Sequence, residues 1–131
     1  MKRILIIEDD VDQRELFKTV LEQAGYDITE APNGKVGLQR FYQQPCELVI
    51  TDIFMPEKEG IETILELKGE FPGVKIIAIS GGGFRGVYAG KPGAEIALET
   101  AKNFGADRIL HKPIKMKLLL AMVDELLGIK G

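Results

Sequence analysis

Apolar residues fall along this chain in two alternating rhythms, short unbroken runs and longer stretches with helical spacing. Lys2-Arg3-Ile4-Leu5-Ile6-Ile7 shows no alternation, which predicts a strand covered on both faces. From Asp12 to Ala24, Leu16, Phe17, Val20, Leu21 and Ala24 share one stripe, an amphipathic helix closed by Gly25. Tyr26 to Ala31 alternates apolar with polar positions, the pattern of a half-buried edge strand. Asn33 can cap a helix carrying Val36, Leu38, Phe41 and Tyr42, which ends before Pro45. A third strand, Leu48 to Thr51, delivers Asp52 at its end, followed by a turn that Pro56 closes.

Ile61, Ile64, Leu65 and Leu67 mark a further helix, stopped by Gly69 and the Phe71-Pro72-Gly73 turn. The strand Val74 to Ile79 ends in Ser80. The glycine-rich segment from Gly81 to Pro92 follows, then a helix from about Ala94 to Phe104. Arg108 to His111 forms the last strand, before Lys112-Pro113. Met116, Leu119, Leu120, Val123, Leu126 and Leu127 give the last helix, Lys115 to Leu127, its apolar spacing.

Strand and helix thus alternate along the chain. Right-handed crossovers then put helices on both faces of a doubly wound, five-stranded parallel sheet, an α/β fold. Ligands of such sheets sit outside the carboxyl ends of the strands. Those ends supply Glu8-Asp9-Asp10, Asp52, Ser80 and Lys112. Each has a plain explanation alone, since an Asp after a strand often caps a helix or forms a turn. Together they describe a site.

Composition narrows the setting. The 131 residues, 45% of them hydrophobic, fit one domain spanning 1–131, with no effector domain. A net charge of -3 gives no basic footprint for nucleic acid or an anionic membrane. One cysteine, Cys46, excludes an internal disulfide, and with the single His111 it cannot build a zinc site. No leader or membrane-spanning run is visible, so a cytoplasmic location is expected.

Clustered carboxylates repel one another unless a cation sits among them. All-oxygen ligands select Mg²⁺ or Ca²⁺, and a shallow site that leaves waters on the ion favours Mg²⁺. Asp52 is a competent nucleophile at neutral pH without a general base, and a cation beside it can hold an incoming phosphoryl group. Lys112 and the Ser80 hydroxyl can take its remaining oxygens.

With these residues in order, the chain resembles a response-regulator receiver domain of two-component signalling over essentially its whole length. The matching motifs are Ile6-Ile7-Glu8-Asp9-Asp10, Thr51-Asp52-Ile53-Phe54-Met55-Pro56 with Gly60, Ser80, Gly105-Ala106 and Lys112-Pro113. The resemblance implies a flavodoxin-like sheet of strand order 2-1-3-4-5, Asp52 as phosphoacceptor, Asp9 and the Phe54 carbonyl as direct Mg²⁺ ligands with Asp52, and Glu8 as a ligand through water. It implies Ser80 as the switch hydroxyl, Lys112 as the phosphate partner, a cis Lys112-Pro113 bond and a helix-capping role for Asp10. The partners implied are a histidine kinase or histidine phosphotransfer protein, met near Gln13, Arg14 and Phe17, and a downstream protein target met through the last two helices and their strand.

Three positions depart from the family pattern. Ile109 replaces the switch aromatic, so the long Gly81 to Pro92 loop is the expected moving part. Phe54 and Gly82 occupy the positions that tune acyl-phosphate lifetime, and neither can orient a water. Two alternatives stand beside this reading: a phosphorylation-independent pseudo-receiver, and a flavin- or nucleotide-binding domain of the same fold. Gly81-Gly82-Gly83-Phe84-Arg85-Gly86 matches the dinucleotide fingerprint in letters, but follows the wrong strand and opens no helix directly. Lys68, Lys115 and Lys117 are expected on solvated helix faces.

Overall fold

A computed structural model of the chain describes residues 2–53, 60–80, 102–103 and 105–128. The elements follow one another as β1 (Arg3–Ile7), α1 (Val11–Gln23), β2 (Asp27–Ala31), α2 (Gly34–Gln43), β3 (Leu48–Asp52), α3 (Gly60–Glu70), β4 (Lys75–Ser80), β5 (Arg108–His111) and α4 (Met116–Leu126). All strand pairs are parallel, and the sheet order is β2-β1-β3-β4-β5. This is the doubly wound arrangement expected from the alternation, with the half-polar strand at one edge. The helix expected from Ala94 to Phe104 and the Gly81 to Pro92 loop lie outside the described residues.

Period-two geometry sorts the strand side chains to opposite faces. Leu5, Ile7, Val49 and Ile76 pack beneath α2 and α3 with Leu38, Phe41, Ile64 and Leu67. Ile4, Ile6, Ile50 and Ile77 pack beneath α1 and α4 with Phe17, Leu21, Leu119 and Val123. Every residue of β3 is buried, because this strand has neighbours on both edges and helices on both faces. Its only charged residue is Asp52.

Helix ends follow their capping chemistry. The Asp10 side chain accepts from the Gln13 N–H at 3.1 Å and that of Asn33 from the Val36 N–H at 2.9 Å, each satisfying an amide that the first turn leaves open. Gly25, with φ at 98°, follows α1 in the left-handed conformation that stops a helix. Gly69 does not stop α3, which runs on to Glu70; the stop is the Pro72 turn alone. Several apolar residues assigned to buried stripes face outward instead, among them Leu16, Tyr42 and Leu65. Each helix covers its sheet face with fewer residues than its apolar content offers. Among the described residues, no helix is long and apolar enough to cross a membrane.

Candidate functional site

Parallel strands bring their carboxyl ends to one edge, and there the expected side chains meet. Glu8 follows β1, Asp52 ends β3, Ser80 ends β4 and Lys112 follows β5. Lys112 Nζ donates to Glu8 Oε1 at 2.7 Å and to Asp52 Oδ2 at 3.0 Å. One carboxylate oxygen each from Glu8, Asp9 and Asp52 lies within 4.8 Å of the other two. Glu8 and Asp52 are buried while Asp9 is exposed, so the group opens to solvent on one side. Asp10 stands apart as the α1 cap. The Lys112-Pro113 bond is cis, as the resemblance implied.

Burial first, and then the Asp52 carboxylate beside it, push the Glu8 carboxyl up to about 8. Burial works against the Lys112 ammonium, yet Glu8 and Asp52 hold its pKa above the ordinary lysine value. Two buried carboxylates sharing one cation leave acceptor capacity unused: Glu8 Oε2 is buried without a hydrogen-bond partner among the described residues. A hard divalent cation fits this donor set, since three carboxylate oxygens can converge on one ion and the repulsion between the acids is what a cation offsets. The Phe54 carbonyl, expected as a further ligand, lies outside the described residues, as does Gly82.

Ser80 is fully buried, and its hydroxyl likewise has no partner among the described residues. The Ser80 carbonyl accepts from the Lys112 N–H at 2.7 Å, so the ends of β4 and β5 are fixed to one another. Ile109, at the aromatic's place, packs partly buried against the α2 and α3 side of the core.

Two supporting contacts escaped sequence reasoning. Gly60 opens α3 directly against Asp52: its N–H donates to the Ile53 carbonyl at 2.8 Å, and a Cβ there would lie 2.3 Å from the Asp52 carbonyl oxygen. A glycine in the first turn after the acidic strand end was the available signal. Arg14 reaches back from α1 to the Glu8 carbonyl at 2.7 Å. Phe17, also named for docking, belongs to the core at 1% exposure. Lys68 is no solvated lysine either, for it pairs with Asp107 at 3.2 Å and donates to the Val74 carbonyl.

The chain matches the family model described as "Response regulator receiver domain" over residues 4–124. It belongs to the receiver domain family. The response regulator receiver protein CpdR of Brucella abortus is 34% identical over 128 residues, covering 97% of this chain and 98% of that protein. The chemotaxis protein CheY of Listeria monocytogenes is 31% identical over 114 residues, covering 85% and 94%. Among solved structures, a CheY-like receiver domain protein from Methanospirillum hungatei superimposes with a TM-score of 0.84 at 29% identity, covering 98% of this chain and 94% of that one. Membership makes this a signalling domain of two-component systems.

Proposed function

We propose that this receiver domain takes a phosphoryl group onto Asp52 from a phosphohistidine donor, on a histidine kinase or histidine phosphotransfer protein, and passes the change to a downstream protein target. The observation that supports this best is Lys112 placed between two buried carboxylates, with a third carboxylate open to solvent beside them. Asp52 attacks phosphorus through one carboxylate oxygen. The new P–O bond forms as the P–N bond breaks, and the imidazole leaves with the electron pair and a proton drawn from solvent. Lys112 supplies a fixed positive charge for one phosphoryl oxygen as Asp52 becomes neutral on esterification. The Ser80 hydroxyl, without a hydrogen-bond partner among the described residues, can take another. Glu8, Asp9, Asp52 and the Phe54 carbonyl would hold Mg²⁺, which when bound offsets the charge of the phosphoryl oxygens and of the acids.

The rate of this step is set by the site rather than by a separate enzyme, so a small donor should suffice. Intact mass after incubation with Mg²⁺ and acetyl phosphate tests this, with Asp52→Asn in parallel. One added phosphoryl group on the parent and none on the variant is the expected result. A folded, Mg²⁺-supplied parent that gains nothing would favour a phosphorylation-independent binding module.

A further inference from the structure

The β1–α1 connection holds Asp9, whose exposed carboxylate has no strand to fix it. Glu8 before it is anchored through its N–H, which donates to the Ala31 carbonyl at 3.0 Å as a continuation of the β1–β2 ladder. Beyond that point the ladder ends. Asp10 is held as the cap of α1, its carbonyl accepting from the Arg14 backbone N–H at 2.9 Å and its carboxylate from the Gln13 N–H at 3.1 Å. The one side chain that reaches back past Asp9 is that of Arg14, whose guanidinium Nη1 donates to the Glu8 carbonyl at 2.7 Å. The Glu8 carbonyl belongs to the peptide group that joins Glu8 to Asp9, so bonding it sets ψ of Glu8 and φ of Asp9 together. The cap thus fixes the chain after Asp9, and the Arg14 guanidinium fixes the peptide before it.

The guanidinium is itself held. Its Nε lies 3.4 Å from Glu30 Oε1 on β2, and the other oxygen of that carboxylate takes Lys18 Nζ at 3.1 Å. The Arg14 side chain is only 18% exposed, so its fork is fixed between a backbone carbonyl and a carboxylate in two directions at once. We infer that Arg14 is a positioning residue for the acidic site, holding the peptide between Glu8 and Asp9 in the orientation that lets both carboxylates address one cation. The inference rests on the Mg²⁺ reading above.

Charge and geometry make opposite predictions for this residue. Arg14 is a cation near a cation site, so its charge alone weakens Mg²⁺ binding and removing it should tighten binding. Its clamp strengthens binding, and removing that should loosen it. The test is calorimetric titration of Mg²⁺ into the metal-free full chain, well below each variant's melting temperature, for the parent, Arg14→Gln and Arg14→Lys. The expected result is an affinity loss of about tenfold in Arg14→Gln, the size typical of lost outer support at metal sites. Arg14→Lys keeps the charge but not the planar fork, and should still lose about threefold. Affinity in Arg14→Gln equal to or tighter than the parent overturns the clamp. Should that variant fail to fold, an unchanged affinity in Arg14→Lys overturns it equally. A parent that neither evolves heat with Mg²⁺ nor melts higher in its presence refutes the Mg²⁺ reading itself, and is recognised before any variant is compared.

Discussion

Gly60 and Asp52 touch through their backbones, with room at Gly60 for a hydrogen but not a methyl group: a Cβ would sit 2.3 Å from the Asp52 carbonyl oxygen and 2.6 Å from the Ile53 Cα. Both clashing atoms are backbone, so neither can swing aside. Gly60→Ala should cost about 1–3 kcal/mol in overpacking. It should also slow phosphorylation by acetyl phosphate, because relief requires moving the acceptor strand's end. Urea melts and the mass assay together check both effects; a variant as stable and as quickly phosphorylated as the parent would refute the contact's importance.

Lys112→Met should lower the phosphorylation rate by about 100-fold or more, the scale on which a single positioned donor acts. Its stem would still pack, so the loss is one of charge at the phosphoryl oxygens. Time-resolved intact mass under saturating Mg²⁺ measures it.

Glu8 gives the metal-free protein a defined pH dependence. Its carboxyl is pushed up to about 8 in the fold, against 4.5 when unfolded, so between those values the folded chain holds a proton that the unfolded chain releases. The resulting contribution to stability is fully present below the unfolded value and is lost as pH rises through about 8, with a slope of at most about 1.4 kcal/mol per pH unit. Mg²⁺ affinity should run the other way and rise with pH, since the cation displaces that proton. Melting in EDTA across this range, and Mg²⁺ titrations in buffers of different ionisation heat, test the two halves. Glu8→Gln should flatten both.

Asp52→Asn should melt higher than the parent without Mg²⁺ at a pH above about 8, where both acids are ionised and the amide removes the repulsion between them. Below that value the advantage should shrink or reverse, because the Asp52 carboxylate raises the Glu8 pKa first by a side-chain hydrogen bond and then by its charge, and the protonated pair attracts. A thermal melt in EDTA above about pH 8 that shows a lower midpoint for the variant would count against this reading.

Asp107 ties β5 to β4 before the site is reached. Its N–H donates to the Ile76 carbonyl at 2.7 Å, and its carboxylate accepts the Ile76 N–H at 2.8 Å while pairing with Lys68. Asp107→Ala leaves an amide and an ammonium short of a charged partner and should cost about 2 kcal/mol, measurable by urea denaturation.

The sheet was legible because burial on two faces writes itself as unbroken apolar runs, as in Ile4 to Ile7 and Leu48 to Ile50. The acids and Lys112 were legible because parallel strands leave their ends at one edge, so sequence position translates directly into place. Helix faces translated less well. Leu16 sits next to Phe17 in sequence, about 100° around the helix, and only Phe17 meets the sheet. Spacing admits either residue to the stripe, and only the neighbouring element decides. Contacts made by backbone carbonyls were less visible still. Neither Arg14 reaching the Glu8 carbonyl nor Gly60 abutting that of Asp52 leaves a pattern in residue type, because every residue has a carbonyl. Lys68 was misread for the same reason: nothing in its sequence surroundings announces that the Val74 carbonyl and the Asp107 carboxylate lie within its reach.

The position of β3 at the middle of the sheet has a consequence for recognition. Asp52 is seated on a strand that is buried along its whole length and bonded on both edges, so it is held in place before any donor arrives. If Asp52 is the acceptor, as proposed, it offers every donor the same small target and can do little to tell one from another. On that proposal discrimination would fall to the outer surface, where Val11 and Leu16 of α1 stand exposed. Chemistry and address would then be written in separate residues, and a receiver of this build could be redirected to a different donor without altering its reacting group.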